Sequence, residues 1–148
     1  MGETLIDILL VEDNLDDIQI TKRALKQANI INNLFVVRDG QEALDFLHHQ
    51  GQYTDPAAVR RPGLILMDIN MPKVSGIEVL KKIKENPALR TIPIIMLTVS
   101  KREEDIVCSY ATGCNSFIQK PVDFDKFVEV VRQIGLYWGV INIPCPDE

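Results

Sequence analysis

Five short apolar runs punctuate the chain: ILLV (8–11), LFVV (34–37), LILM (64–67), IIML (94–97) and FI (117–118). None alternates with polar residues and none is long enough for a helix, so each is expected to be a strand buried on both faces. The segments between them open with helix-start signals. Asn14 with Asp17, Asp39 with Glu42, Ser75 with Glu78, and Ser100 with Glu103 each place a capping side chain three positions ahead of an acid. In that arrangement both side chains can satisfy backbone N–H groups that a helix start leaves free. After Asp123, the residues Phe124, Phe127, Val128 and Val131 recur at helical spacing and predict a final helix. The order is strand then helix, five times over. Such alternation implies parallel strands joined by right-handed crossovers, hence an α/β sheet covered on both faces, a doubly wound architecture. Ligands of these sheets sit outside the carboxyl ends of the strands. Two stretches interrupt the pattern: the Pro/Gly-containing connection HHQGQYTDPAAVRRPG (48–63) and the aromatic tail GLYWGVINIPCPDE (135–148).

Bulk properties narrow the function. A chain of 148 residues is expected to form one domain with a sizeable core. Its net charge of −5 comes with no Lys/Arg stripe, which argues against binding nucleic acid. Cys108, Cys114 and Cys145 are odd in number and form no C-x-x-C pair, so reduced thiols in a cytoplasmic protein are expected. The apolar run at 8–11 is too short for a signal peptide or a membrane span. His48 and His49 are adjacent and are taken as surface residues of a helix, not metal ligands.

The chemistry gathers where the strands end. Glu12 and Asp13 follow the first run, Asp68 the third, Thr98 the fourth and Lys120 the fifth. Adjacent carboxylates resist desolvation together, so they must be solvated, paired, or holding a cation. Two or three carboxylates plus backbone carbonyls make a hard-oxygen site suited to Mg²⁺ that keeps several waters. An aspartate can also attack phosphorus to form an acyl phosphate, provided charge on the transferred oxygens is neutralised. Lys120 would supply a point charge and Thr98 a hydroxyl donor for that purpose. Taken singly, each residue has a plainer explanation. An acid pair after a strand is usually a helix cap with its first-turn partner. Thr98 could be a strand-end hydroxyl and Lys120 a solvated loop lysine. Asp68 is harder to explain away, because an unpaired charge at the end of a buried run is costly.

Four stretches, ILLVEDN (8–14), LILMDINMPKVSGIEVL (64–80), IPIIMLTVS (92–100) and GCNSFIQKPVDFDKF (113–127), together resemble the receiver domains of two-component response regulators. The resemblance covers residues 6–134, with the apolar extension 135–148 beyond it. It implies a flavodoxin-like (βα)₅ fold with strand order 2-1-3-4-5. It also implies that Asp68 accepts a phosphoryl group from a histidine kinase. Glu12, Asp13, Asp68 and the backbone carbonyl of Asn70 would surround Mg²⁺, Glu12 through water. Lys120 and Thr98 would contact the phosphoryl oxygens, and Lys120-Pro121 would be a cis peptide. Phe117 matches the family's switch aromatic, which moves as Thr98 is drawn toward the phosphoryl group. Judged on its own, Phe117 is an ordinary core aromatic. The 48–63 connection, the stretch EEDIVCSY (103–110) and the aromatic tail look like the single-domain regulators paired with bacterial phytochromes, which points to a phytochrome-type sensor kinase as partner.

Three positions depart from the commonest family pattern. Val99 is bulkier than the usual small residue, Ser75 replaces an Asp while still capping a helix, and Phe117 lacks the hydroxyl of a Tyr. The tail leaves no length for an effector domain, so output is expected through contact with a downstream protein. Its apolar residues Leu136, Tyr137, Trp138, Val140 and Ile141 either pack on a second copy, giving a homodimer, or fold back on their own domain. Two rival functions stay in view. One is a receiver-like binding module that takes no phosphate. The other is an aspartyl-phosphate phosphohydrolase, which would need an acid where Asn70 stands and a cap over the site.

Overall fold

The computed structural model describes residues 6–28, 31–55, 61–110 and 116–133. Within them β1 (Ile6–Val11), α1 (Leu15–Ala28), β2 (Ile31–Val37), α2 (Gly40–His48), β3 (Leu64–Asp68), α3 (Gly76–Glu85), β4 (Ile94–Thr98), α4 (Lys101–Tyr110), β5 (Ser116–Gln119) and α5 (Phe124–Gln133) alternate as the pattern predicts. The strands form one parallel sheet in the order β2-β1-β3-β4-β5, the doubly wound arrangement expected of the sequence. β1 and β3 lie inside the sheet, where every residue of β3 is buried. The tail and part of the 48–63 connection fall outside the described residues.

Successive residues of β1 feed two cores. Leu9 and Val11 join Phe46, Met67 and Val79 on one face. Ile8 and Leu10 join Leu66, Leu97 and Phe127 on the other. Each such side chain contributes about 1.5–3 kcal/mol by leaving water. The helix starts form where the caps predict them. Asn14 accepts from the Asp17 N–H at 2.9 Å, Asp39 from Glu42 at 2.7 Å, Ser75 from Glu78 at 3.3 Å, Ser100 from Glu103 at 3.2 Å, and Asp123 from Lys126 at 2.8 Å. Two of the paired acids reach one residue further back than a capping box requires. Glu42 accepts from the Arg38 N–H at 3.0 Å and Glu103 from the Val99 N–H at 2.9 Å.

Buried polar groups and tight packing explain the irregular places. Asp7 is buried at a register shift between β1 and β2, where Asn33 Nδ2 donates to its Oδ1 at 3.1 Å. Tyr53 anchors the described start of the long connection, stacking edge-on against Phe46 and donating its hydroxyl to Glu42 at 2.5 Å. Burial and the Glu42 carboxylate push the Tyr53 phenol up to about 12. His49 is not on a helix face; it is the left-handed C-cap of α2, and both it and His48 are half-buried, which corrects the surface placement. The loop after β3 leans on the start of α2: a methyl added at Gly40 would collide with the Val74 backbone carbonyl, and Lys73, in the left-handed region at φ 67, pairs with Asp39 at 3.5 Å.

Candidate functional site

Backbone pairing delivers the site residues to one edge. The Glu12 N–H donates to the Val37 carbonyl at 3.0 Å, which prolongs the β1–β2 ladder and fixes Glu12 just past the strand. The Lys120 N–H donates to the Thr98 carbonyl at 2.7 Å and does the same beyond β5. Asp68 and Thr98 belong to the sheet itself, paired with Leu97 and Gln119. The strands therefore run past their apolar runs, because ladder bonds do not depend on side-chain polarity.

The Lys120 ammonium is the hub. Its Nζ lies 2.7 Å from Glu12 Oε1, 3.0 Å from Asp68 Oδ1 and 3.1 Å from Asp17 Oδ2, with 12% of the side chain exposed. So the carboxylates behind the first strand tolerate one another in this state because an ammonium stands among them. Burial pushes both Glu12 and Asp68 above the ordinary carboxylate range, with Lys120 opposing the shift in each case. Burial alone would lower Lys120, yet its contacts with Glu12 and Asp68 hold it above the usual lysine value.

A group of acids that could hold a cation lies beside the lysine. Glu12, Asp13 and Asp68 each offer a carboxylate oxygen, all within 4.8 Å of one another. Glu12 Oε2 accepts the Asn14 N–H at 3.2 Å, while the buried Oε1 meets the Lys120 ammonium. An all-oxygen donor set of this kind fits a hard divalent ion that retains water.

Thr98 is fully buried at the end of β4, and its hydroxyl donates to Glu104 Oε2 at 3.5 Å, not to Asp68. The Asn70 side chain donates to Glu103 at 3.0 Å. Phe117 is half-buried against the core of the first face, and Lys120-Pro121 is cis, as the resemblance implies. Three acids emerge that the sequence did not assign to the site: Asp17, Glu103 and Glu104. Asp17 looked like a cap partner, yet its carboxylate crosses to Lys120.

A parallel sheet in this order, with an aspartate, a lysine and an acid pair meeting at its carboxyl edge, defines a receiver. Residues 8–132 match the response regulator receiver domain, and the chain belongs to that family. It is similar to response regulator Rcp1 of Synechocystis sp., with 40% identity over 139 residues, 93% of this chain and 92% of that protein. A structure of Rcp1 in its Mn²⁺-bound form aligns with TM-score 0.70 and 39% identity over 90% of this chain and 94% of that one. The bacteriophytochrome response regulator RtBRR aligns with TM-score 0.83 and 42% identity, covering 97% of this chain and 86% of that chain. The phosphorylated cyanobacterial phytochrome response regulator RcpA gives TM-score 0.72 and 38% identity over 91% and 94%. The chain is thus a response regulator receiver of two-component phosphorelay signalling, a signalling protein of the kind that its sequence resembles. No helix of the described residues is long and apolar enough to cross a membrane.

Proposed function

We propose that Asp68 is the phosphoacceptor and that a histidine kinase, of the phytochrome-type sensor class, is the donor. The observation that carries this reading is the Lys120 ammonium held 3.0 Å from Asp68 Oδ1 beside the carboxylate triad. An Asp68 carboxylate oxygen attacks phosphorus in line, the P–N bond of the phosphohistidine breaks, and its electron pair stays on the imidazole nitrogen. Lys120 keeps Asp68 ionised beforehand and neutralises phosphoryl oxygens afterwards. Thr98 donates its hydroxyl to a second phosphoryl oxygen. Glu12, Asp13, Asp68 and the Asn70 backbone carbonyl would hold Mg²⁺, with Glu12 acting through water. When bound, that ion supplies positive charge to the developing acyl phosphate. The Mn²⁺-bound form of Rcp1 and the phosphorylated form of RcpA support the reading by likeness.

Residues 1–148 act as one receiver unit, with core 6–134 and extension 135–148. Output passes to a downstream protein through the surface of α4, β5 and α5 once Thr98 and Phe117 rearrange. The protein does not turn over a substrate; its own chemistry is self-phosphorylation and autodephosphorylation. The phosphohydrolase alternative is disfavoured because Asn70 presents an amide that donates to Glu103 and has no acid proton to give. Intact mass after incubation with acetyl phosphate and Mg²⁺ tests the proposal. One phosphoryl adduct is expected on the native chain and none on Asp68→Asn. An undiminished adduct on Asp68→Asn, or none on the native chain, overturns it.

A further inference from the structure

We infer that Glu104 is a positioning residue that holds the Thr98 hydroxyl in the resting protein and so sets how readily the site accepts a phosphoryl group. The inference rests on the phosphoacceptor reading of Asp68. Thr98 is fully buried, and its hydroxyl has one proton, which it donates to Glu104 Oε2 at 3.5 Å. A phosphoryl oxygen on Asp68 needs that same proton. The two acceptors therefore compete, and Thr98 must leave one to serve the other.

Glu104 is well placed to compete because its helical turn is tied down on both sides. Its second oxygen faces Lys101 Nζ at 3.7 Å, which leaves Oε2 for Thr98. The neighbouring Glu103 accepts the Val99 N–H at 2.9 Å and the Asn70 amide at 3.0 Å, pinning the first turn of α4 to the loops that follow Thr98 and Asp68. The 3.5 Å separation is long for a hydroxyl–carboxylate bond, so the hold is loose and its release is easy. Phosphorylation adds negative charge next to Thr98, which further disfavours the Glu104 carboxylate staying near. Loss of the Thr98 contact thus removes one of the ties between β4 and the first turn of α4 at the moment the site is charged, while those of Glu103 remain.

Calorimetric titration of the full chain with beryllofluoride in Mg²⁺, a tetrahedral stand-in for the phosphoryl group, tests the inference. Glu104→Ala removes the competitor, and affinity is expected to rise roughly fivefold, the scale of one ordinary hydrogen bond, since the long separation weakens this one below the usual strength of a bond to a charged group. Glu104→Gln keeps an acceptor oxygen and is expected to stay closer to the native affinity. In a Thr98→Val background, which lacks the hydroxyl, Glu104→Ala is expected to change nothing. Substitution that merely loosened α4 would shift affinity equally in both backgrounds, and that result overturns the inference, as does no change on Glu104→Ala. Beryllofluoride binding that is absent from the native chain, or undiminished by Asp68→Asn, overturns the phosphoacceptor reading and this inference with it.

Discussion

Replacing Lys120 by Met keeps the methylene stem and removes the ammonium shared by Glu12, Asp17 and Asp68. Breaking a buried ion pair from one side typically costs about 3–5 kcal/mol, because the remaining charge is stranded. Glu12 is fully buried and Asp68 nearly so, but 29% of the Asp17 side chain is exposed and water can rescue it. The lower end therefore applies, about 3 kcal/mol at pH 7.5 without divalent metal. The deficit should also depend on pH. Glu12 and Asp68 already stand above their ordinary values of 4.5 and 3.8, and losing the ammonium raises them further. A carboxylate with a raised folded pKa binds more protons folded than unfolded, so stability falls as pH rises between the two values. Each additional proton bound by the folded variant narrows the gap by about 1.4 kcal/mol per pH unit on acidification. Urea denaturation of both proteins in EDTA at pH 7.5 and 5.5 reads the effect directly. The deficit should be smaller at the lower pH, and saturating Mg²⁺ should restore part of it at pH 7.5. A deficit below about 1 kcal/mol, or one identical at both pH values, would refute the reasoning.

Other outcomes follow from the same geometry. Divalent-ion affinity, measured by Mn²⁺ titration followed by electron paramagnetic resonance, should decline on acidification from above pH 4.5, since burial raises Glu12 and Asp68 and protons compete for the same oxygens; a decline confined to lower pH contradicts the shifts. Gly76→Ala would push a methyl into the Asp68 backbone carbonyl, and a loss of about 2 kcal/mol in urea melts with a slower reaction toward acetyl phosphate is expected; a native rate would mean the loop yields freely. Sedimentation of a chain ending at Gly135 separates the two fates of the tail: an unchanged association state removes any role of the extension in a dimer.

Much of the architecture was legible because burial and capping are local signals. Runs such as LILM (64–67) marked the strands, and each predicted cap found its N–H. The parts that escaped depend on how helices rotate against the sheet. Whether Asp17 folds back on its own helix or reaches Lys120 is decided by α1 seating Ile18 and Leu25 in the core beside Phe127, which no neighbouring residue announces. The same holds for Thr98. The strand end identified the residue as a site hydroxyl, but its acceptor, Glu104, sits on the following helix, whose first turn looked like simple capping. Lys120 beside the acids was anticipated as a phosphate contact. Its second role, as the counter-charge of the resting site, follows from distances alone.

The seam between Gly40 and Val74 has an evolutionary reading. No side chain is tolerated at position 40 without displacing the loop that leaves Asp68, although Gly40 carries no group that could take part in the chemistry of the site. In a saturation library selected for signalling, position 40 should be nearly as barren as position 68. A map of importance drawn by distance from the phosphate would overlook it.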